Sequence, residues 1–436
     1  MQRRLYSLLL YGAVPFAVAR LWWRQWRAPH PPDSLAQRLA HRLPARTDAP
    51  LWLHAASVGE LRALAALLQQ RPPAADDAVL ITTGTATGCA LARRMFDAAG
   101  HAVQLAPWDL PGAVSRFVAA TRPRALVLVE CELWPNLLAA AERQGVPVAL
   151  LSARLSARSL ARYRRFAPAM MRQAVRAIGV IGCQSETDRR RFIELGAAPE
   201  RVHVTGNLKF DLRMDADLAV RGAALRARWA PHRPLWVAGS THAGEEEVLL
   251  EAQRRLMDAA RDHALPSPLL VMAPRHPERF AAVARWLDTQ RVASARTGGG
   301  GPVAGTPAVD VLLVDEMGVL QEWYAAADAA FVGGSLVPVG GHNLLEPAAL
   351  GRPVLCGPHT SNAPEVTRAL CDAGGAAVVH DAEELVARLS VWLADPPVAS
   401  AAGAAAAAAV AAGQGAARRA LQLLRESGWS APSATG

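Results

Sequence analysis

At 436 residues the chain exceeds one ordinary domain and has length for two. With 51% hydrophobic and 19% charged residues it has the composition of a globular protein with large cores, which excludes a disordered chain. Lys and Arg (47) outnumber Asp and Glu (38), and the net charge of +9 suits an anionic substrate, an anionic membrane or nucleic acid.

The first 27 residues come first in the chain and read as a membrane anchor. Between Arg4 and Arg20 lie fifteen uncharged residues, fewer than the about twenty that a perpendicular spanning helix needs. Trp22, Trp23 and Trp26 interleave with Arg20, Arg24 and Arg27, an aromatic and basic collar of the kind found at membrane interfaces. No small-residue cleavage site follows, so a removable signal peptide is not expected. The segment is either a short span or a helix lying in the interface, with an amphipathic helix packed on its own domain as the alternative. The Pro-rich stretch Ala28 to Ser34 reads as a linker.

From Leu51 apolar runs alternate with amphipathic stretches. Strands are expected at 51–56, 78–83, 125–130, 146–151, 177–183 and 202–206, with helices between them, for example Glu60 to Gln70, Gly88 to Ala99 and Leu137 to Gln144. After Lys209-Phe210-Asp211 the rhythm restarts, with strands at 234–239, 268–273, 309–314, 329–334, 353–357 and 376–380. Continuous apolar strands separated by helices predict parallel sheets covered on both faces. The restart predicts two doubly wound α/β halves with a cleft between them and ligands outside the carboxyl ends of the strands. The glycine-rich loop Thr297 to Gly305 reads as a mobile surface insertion. Ala401 to Ala412 is helical by propensity, and residues from Ser427 read as a disordered tail. The five cysteines are dispersed without a CxxC pair, which points to a reducing compartment and neither disulfides nor structural zinc.

Strand ends carry the chemistry. After the first strand, Ser57 and Glu60 have the spacing of a capping box, S-x-x-E. The same Glu60, at the carboxyl edge of a sheet, can also take a proton from an attacking hydroxyl. Glu130 and Glu132 flank Cys131 at the end of a buried strand, where carboxylates are costly without partners and mark either a site or a structural ion pair. Lys209, between Leu208 and Phe210 at the junction of the halves, is a candidate anion ligand. In the second half, Ser240-Thr241-His242 precede the acidic helix Glu245 to Glu247. Arg275 and His276 offer a fork and a donor for a phosphate. Asp315 to Gly318 follow another strand.

The segment from Gly333 to Pro358 combines a glycine-rich loop with a helix expected to begin near Asn343 and end at Gly351, with Glu346 in its first turn. Glycines and a helix start suit a phosphate, and a carboxylate suits sugar hydroxyls. A plain βα turn whose Glu complements the helix dipole is the alternative. A Walker glycine pattern and a GxGxxG opening the first βα turn are both missing, which disfavours an ATPase or a nicotinamide enzyme.

These stretches, LWLHAASVGE, ECELWPN, ARLSARS, VTGNLKFD, STHAGEE, APRHPERF and FVGGSLVPVGGHNLLEPAALGRPVLCGPHTSN, together with the apolar N-terminus, resemble the Kdo (3-deoxy-D-manno-octulosonic acid) transferases of lipid A biosynthesis. They span nearly the whole chain in the family's order. The chain departs at Val314-Asp315-Glu316-Met317-Gly318-Val319, where the family has a Gly-Asp-Thr-Met-Gly-Glu-like turn. The resemblance implies a GT-B fold: an anchor in residues 1–27, an acceptor-binding Rossmann-like domain at 28–212, a CMP-sugar-binding one at 213–400, and a C-terminal helix and tail at 401–436 that can cross back to the first domain. It implies inverting transfer of Kdo from CMP-Kdo to a tetraacyl disaccharide bisphosphate, lipid IVA. Glu60 would be the general base, with Glu130 and Lys209 stabilising the transition state. Pro274, Arg275, Glu316, Met317, Gly318, Asn343, Leu344, Leu345 and Glu346 would hold CMP, Glu346 at the ribose.

The implied setting is the bacterial inner membrane, with the catalytic domains on the cytoplasmic side against its anionic surface. The donor is a monophosphate ester, so one Arg and a helix start can neutralise its leaving group; no metal, cofactor or nucleic acid is expected. Arg154, Arg158, Arg162 and Arg165 recur at helical spacing and meet either acceptor phosphates, lipid headgroups or solvent. A GT-B enzyme using a UDP-sugar, or a non-catalytic nucleotide-binding module, are the rival readings.

Overall fold

Apolar runs that alternate with amphipathic helices pair in parallel, and the central runs become strands buried on both faces. The structure is a computed structural model and describes residues 1–27, 35–41, 43, 48–71, 78–299 and 309–428. It divides the chain into two compact units, residues 1–212 with 413–436, and residues 213–412. The linker expected at Ala28 to Ser34, most of the loop 297–305 and the tail beyond Gly428 lie outside the described residues.

The first unit contains β1 (Leu51–Ala55), β2 (Val79–Thr83), β3 (Ala102–Leu105), β4 (Ala125–Val129), β5 (Val148–Ala153), β6 (Val180–Cys183) and β7 (Val202–Val204), in the spatial order β3-β2-β1-β4-β5-β6-β7. The second contains β8 (Leu235–Thr241), β9 (Leu269–Pro274), β10 (Ser294–Arg296), β11 (Val311–Leu313), β12 (Ala329–Val332), β13 (Val354–Cys356) and β14 (Ala376–Val378), in the order β10-β11-β9-β8-β12-β13-β14. The strand order reverses between β1 and β4 in the first sheet and between β8 and β12 in the second, where β10 and β11 also exchange places at the edge. Those reversals open a crevice at the carboxyl ends of the strands, where such sheets bind ligands.

The edge strands β3 and β10 escaped the sequence reading. They are four and three residues long and half exposed, so they lack the apolar run that marks a central strand.

Both units are closed by the C-terminal segment. Helix Pro396–Gly413 lies on the second unit by close backbone approach: a Cβ on Gly403 would stand 1.9 Å from the Gly351 carbonyl oxygen. Small residues are what permit that approach, which accounts for the alanine run. The last helix, Ala416–Glu426, belongs to the first unit and packs Ala420, Leu421 and Leu424 against Leu61 and Leu64. Asp211 fixes its start by accepting from the N–H groups of Gly415 and Ala417. Ser427 and Gly428, placed in a disordered tail by the sequence reading, form the ordered end of this helix.

Candidate functional site

At the β1/β4 reversal the chain builds an acidic cluster. Ser57 caps helix Val58–Gln70, accepting from the Glu60 N–H at 3.2 Å, while its hydroxyl donates to Glu60 Oε1 at 2.8 Å. The Ala56 N–H donates to Glu60 Oε2 at 2.7 Å. The capping geometry is therefore formed, and it also orients the carboxylate. Burial first, then the charge of Glu130, push the Glu60 carboxyl above its usual range, against the opposing pull of the bonds from Ala56 and Ser57. A carboxylate so placed is a better proton acceptor than a solvated one.

Glu130 ends β4 in the left-handed region (φ +64), a conformation a non-glycine residue keeps only when its surroundings impose it. Its carboxylate is ion-paired with Lys209. The turn carrying Lys209 is held by a polar network: Asn207 Nδ2 donates to Gln184 Oε1 at 3.1 Å, Gln184 Nε2 donates to the Ser152 carbonyl at 3.0 Å, and the Leu208 N–H donates to Ser152 Oγ at 3.3 Å. Ser152 is itself left-handed, with φ +52. Glu132 lies 3.4 Å from Nε2 of the buried His54, whose Nδ1 is 2.8 Å from Thr82 Oγ1. The structure thus brings Glu60, Glu130, Glu132 and Lys209 together, and adds His54 and the Ser152–Gln184–Asn207 support. The support was not legible because its members lie on three separate strand ends.

The β8/β12 reversal carries a second cluster. His242 and His342 stack with Nε2 atoms 2.8 Å apart, and His276 packs edge-on against His242. Burial, then the charge of Arg275, push His342 down to about 4, so its imidazole is neutral at pH 7. Arg275 is half-buried, and its guanidinium has no hydrogen bond or ion pair among the described residues. Asn343 Oδ1 accepts from the Leu345 N–H at 3.2 Å and Asn343 Nδ2 donates to Glu346 Oε1 at 3.1 Å, which holds the Glu346 carboxylate. Pro274 is buried at the end of β9, and Leu344 and Leu345 are buried in the core, so these three offer a ligand their backbone only. Glu316, Met317 and Gly318 are exposed, and Gly318 has φ +92.

Three expectations change here. The helix expected from Asn343 to Gly351 covers only Leu345–Ala349, since Pro347 supplies no N–H and Gly351 turns left-handed at φ +68. The glycine loop does not present all its N–H groups to a ligand. The fully buried Glu245 takes three of them, Gly334 (2.8 Å) on Oε2 and Ser335 and Leu336 (both 3.0 Å) on Oε1, and also accepts from the His242 N–H (2.9 Å) on Oε2. Gly333 lets that loop approach β8, because a Cβ there would stand 2.6 Å from the Ser240 carbonyl oxygen. Finally, Thr297 to Gly299, read as part of a mobile insertion, form a turn pinned by Asp315, which accepts from Thr297 Oγ1 and the Gly298 N–H at 2.9 Å each and pairs with Arg296.

A family profile described as 3-deoxy-D-manno-octulosonic-acid transferase (kdotransferase) matches residues 33–212. The chain is similar to the 3-deoxy-D-manno-octulosonic acid transferase of Bordetella pertussis, with 40% identity over 441 residues covering 98% of this chain and 99% of that one. It is also similar to the 3-deoxy-D-manno-octulosonic acid transferase of Haemophilus influenzae, with 36% identity over 395 residues covering 89% and 90%. Among solved structures, the UDP-GlcNAc 2-epimerase of Neisseria meningitidis bound to UDP-GlcNAc aligns with a TM-score of 0.56 over 86% of this chain and all of that one, at 13% identity. That likeness concerns fold alone, and with the two parallel seven-stranded sheets it makes the architecture GT-B.

Proposed function

Because the chain belongs to the family of 3-deoxy-D-manno-octulosonic acid (Kdo) transferases, we propose that it moves Kdo from CMP-Kdo to a hydroxyl of a lipid A precursor. The first unit acts on the acceptor. Glu60 takes the hydroxyl proton as the oxygen attacks the anomeric carbon of Kdo; the bond from that carbon to the phosphate oxygen breaks, CMP leaves and the configuration inverts. Glu130 and Lys209 set the charge around this step, the lysine balancing the negative charge that gathers at the reacting centre. The second unit holds the donor. Arg275 meets the phosphate, the backbone at Pro274, Glu316 to Gly318 and Asn343 to Leu345 lines the nucleotide, and Glu346 accepts from the ribose hydroxyls.

The observation that carries this reading is the buried Glu60 carboxylate, oriented by Ala56 and Ser57 and pushed up by burial and by Glu130. The N-terminal helix Gln2–Arg27, with Leu8, Phe16, Trp22 and Trp26 exposed, supports association with the inner membrane, where a lipid acceptor resides. The test is direct: purified protein, CMP-Kdo and the tetraacyl disaccharide bisphosphate, with products weighed by mass spectrometry. The acceptor should gain the mass of a Kdo residue (Kdo less one water) with release of CMP. No transfer from CMP-Kdo, together with transfer from a UDP-sugar, would sink the proposal.

A further inference from the structure

The helix Gln2–Arg27 has 26 residues, about 39 Å at the usual rise, so length alone would let it cross a bilayer. Both of its ends are nevertheless tied to the same unit. Gln2 Oε1 accepts from the Met170 N–H at 3.0 Å, Tyr6 donates to Asp109 Oδ2 at 3.0 Å, and Ser7 donates to Asn136 Oδ1 at 3.1 Å. Asp109 also accepts from the N–H groups of Asn136 (3.2 Å) and Leu137 (2.7 Å), so Tyr6 is bonded to the carboxylate that caps helix Pro135–Arg143. At the other end only residues 28–34 separate Arg27 from the short helix Leu35–Arg38. Arg38 is buried there, its guanidinium donating to the Ala106 carbonyl at 3.1 Å and the Gly84 carbonyl at 2.7 Å.

We infer that this helix is monotopic: it lies in the plane of one anionic leaflet, with both ends on the cytoplasmic side. A spanning helix would leave Arg27 across about 30 Å of hydrocarbon from the docked first turns. The eight peptide steps from Arg27 to Leu35 reach at most about 29 Å, and an irregular chain returning through lipid would carry unpaired backbone groups. The side chains divide accordingly. Leu5, Leu8, Leu9, Phe16, Trp23 and Trp26 are exposed and share one helical face, while Tyr6, Leu10, Val14, Ala17 and Leu21 are half-buried on the opposite one.

The charge beside the docked end fits anionic headgroups. Phe166, four residues before Met170, is 70% exposed, and Arg158, Arg162 and Arg165 on its helix are exposed with it. The arrangement has a consequence for the site. Asn136, which Ser7 and Asp109 hold, lies six residues beyond Glu130, so the lipid-bound helix sets the height of that strand end above the membrane. The inference rests on the membrane association proposed above.

The test uses the full chain in bacterial cells with Arg4→Cys or His30→Cys, each read as labelling added to that of the unsubstituted protein. An impermeant maleimide is applied to spheroplasts and to inverted inner-membrane vesicles. In-plane binding predicts that neither position reacts from outside spheroplasts and that both react in inverted vesicles. Labelling of Cys at position 4 from outside, with position 30 protected, would overturn the monotopic arrangement while leaving membrane association intact. Recovery of the protein in the cytosolic fraction would instead remove the membrane reading, and this inference with it.

Discussion

Lys209 Nζ is ion-paired with the Glu130 carboxylate, and its stem passes over Gly59, where a Cβ would stand 3.2 Å from Lys209 Cε. One cation thus balances an anion that itself raises the pKa of Glu60. Removing either partner shifts Glu60 in opposite directions. Lys209→Ala leaves the Glu130 charge uncompensated beside Glu60 and moves the acid limb of kcat/KM to higher pH. Glu130→Gln removes the like charge and moves that limb to lower pH. Each variant should also lose about 10²–10³ in kcat, the usual cost of deleting one preorganised charge. A pair that only stabilises the fold would lower activity without splitting the limbs, so pH–rate profiles of both variants decide the point.

Glu60→Gln should lose about 10²–10⁴ in kcat, the range for a positioned base, while CMP binding measured by calorimetry stays unchanged. Stability should move the other way. The folded Glu60 carboxyl titrates above its unfolded value, so its contribution is fully present below the ordinary Glu range and is lost as pH rises through the raised value. Glu60→Gln should therefore melt close to wild type in acid and above wild type at pH 8. A variant that melts lower at pH 8 would show that the capping bonds outweigh the cost of the buried charge.

How much of this was legible follows from where each signal resides. The central strands were readable because a strand buried on both faces must be apolar throughout, and residues placed just beyond them, such as Glu60 and Glu130, followed directly. Ser57 and Glu60 left two readings open because capping and base chemistry use the same atoms; the folded structure forms the capping bonds, and the base role is the one proposed above. Glu245 was visible only as part of an acidic helix start. Its partners are backbone N–H groups of Gly334, Ser335 and Leu336, about ninety residues away, and backbone donors leave no mark in a sequence. The length of the helix at Leu345 was over-read because small residues favour helix in general, whereas Pro347 has no N–H to bond the Asn343 carbonyl of an earlier start and Gly351 turns the chain out at the far end.

Glu245 should be among the most sensitive positions in the second unit. Glu245→Gln keeps one oxygen for two N–H groups but turns an NH2 toward the others, orphaning two buried donors. At about 1–3 kcal/mol for each, the cost is roughly 2–6 kcal/mol. Urea unfolding monitored at the buried Trp236 and Trp323 would measure it. Because the loop from Gly333 to Leu336 is held by this carboxylate, CMP affinity should fall together with stability. A variant of normal stability would mean the loop is held by packing instead.

Arg275 offers the opposite case, a group whose removal should cost function and spare the fold. Its guanidinium bonds nothing among the described residues, so Arg275→Ala should change stability by no more than about 0.5 kcal/mol. A charge-assisted, forked contact to phosphate is worth about 1.5–3 kcal/mol, so CMP affinity should drop roughly tenfold to hundredfold. Cytidine, which has no phosphate, should bind wild type and variant alike, and Arg275→Lys should restore only part of the loss because a point charge replaces a fork. His342, already neutral well below pH 7, should add no titration step to CMP binding between pH 6 and 8. Isothermal titration of CMP and cytidine across that range checks all of this, and an equal loss for both ligands would place Arg275 away from the phosphate.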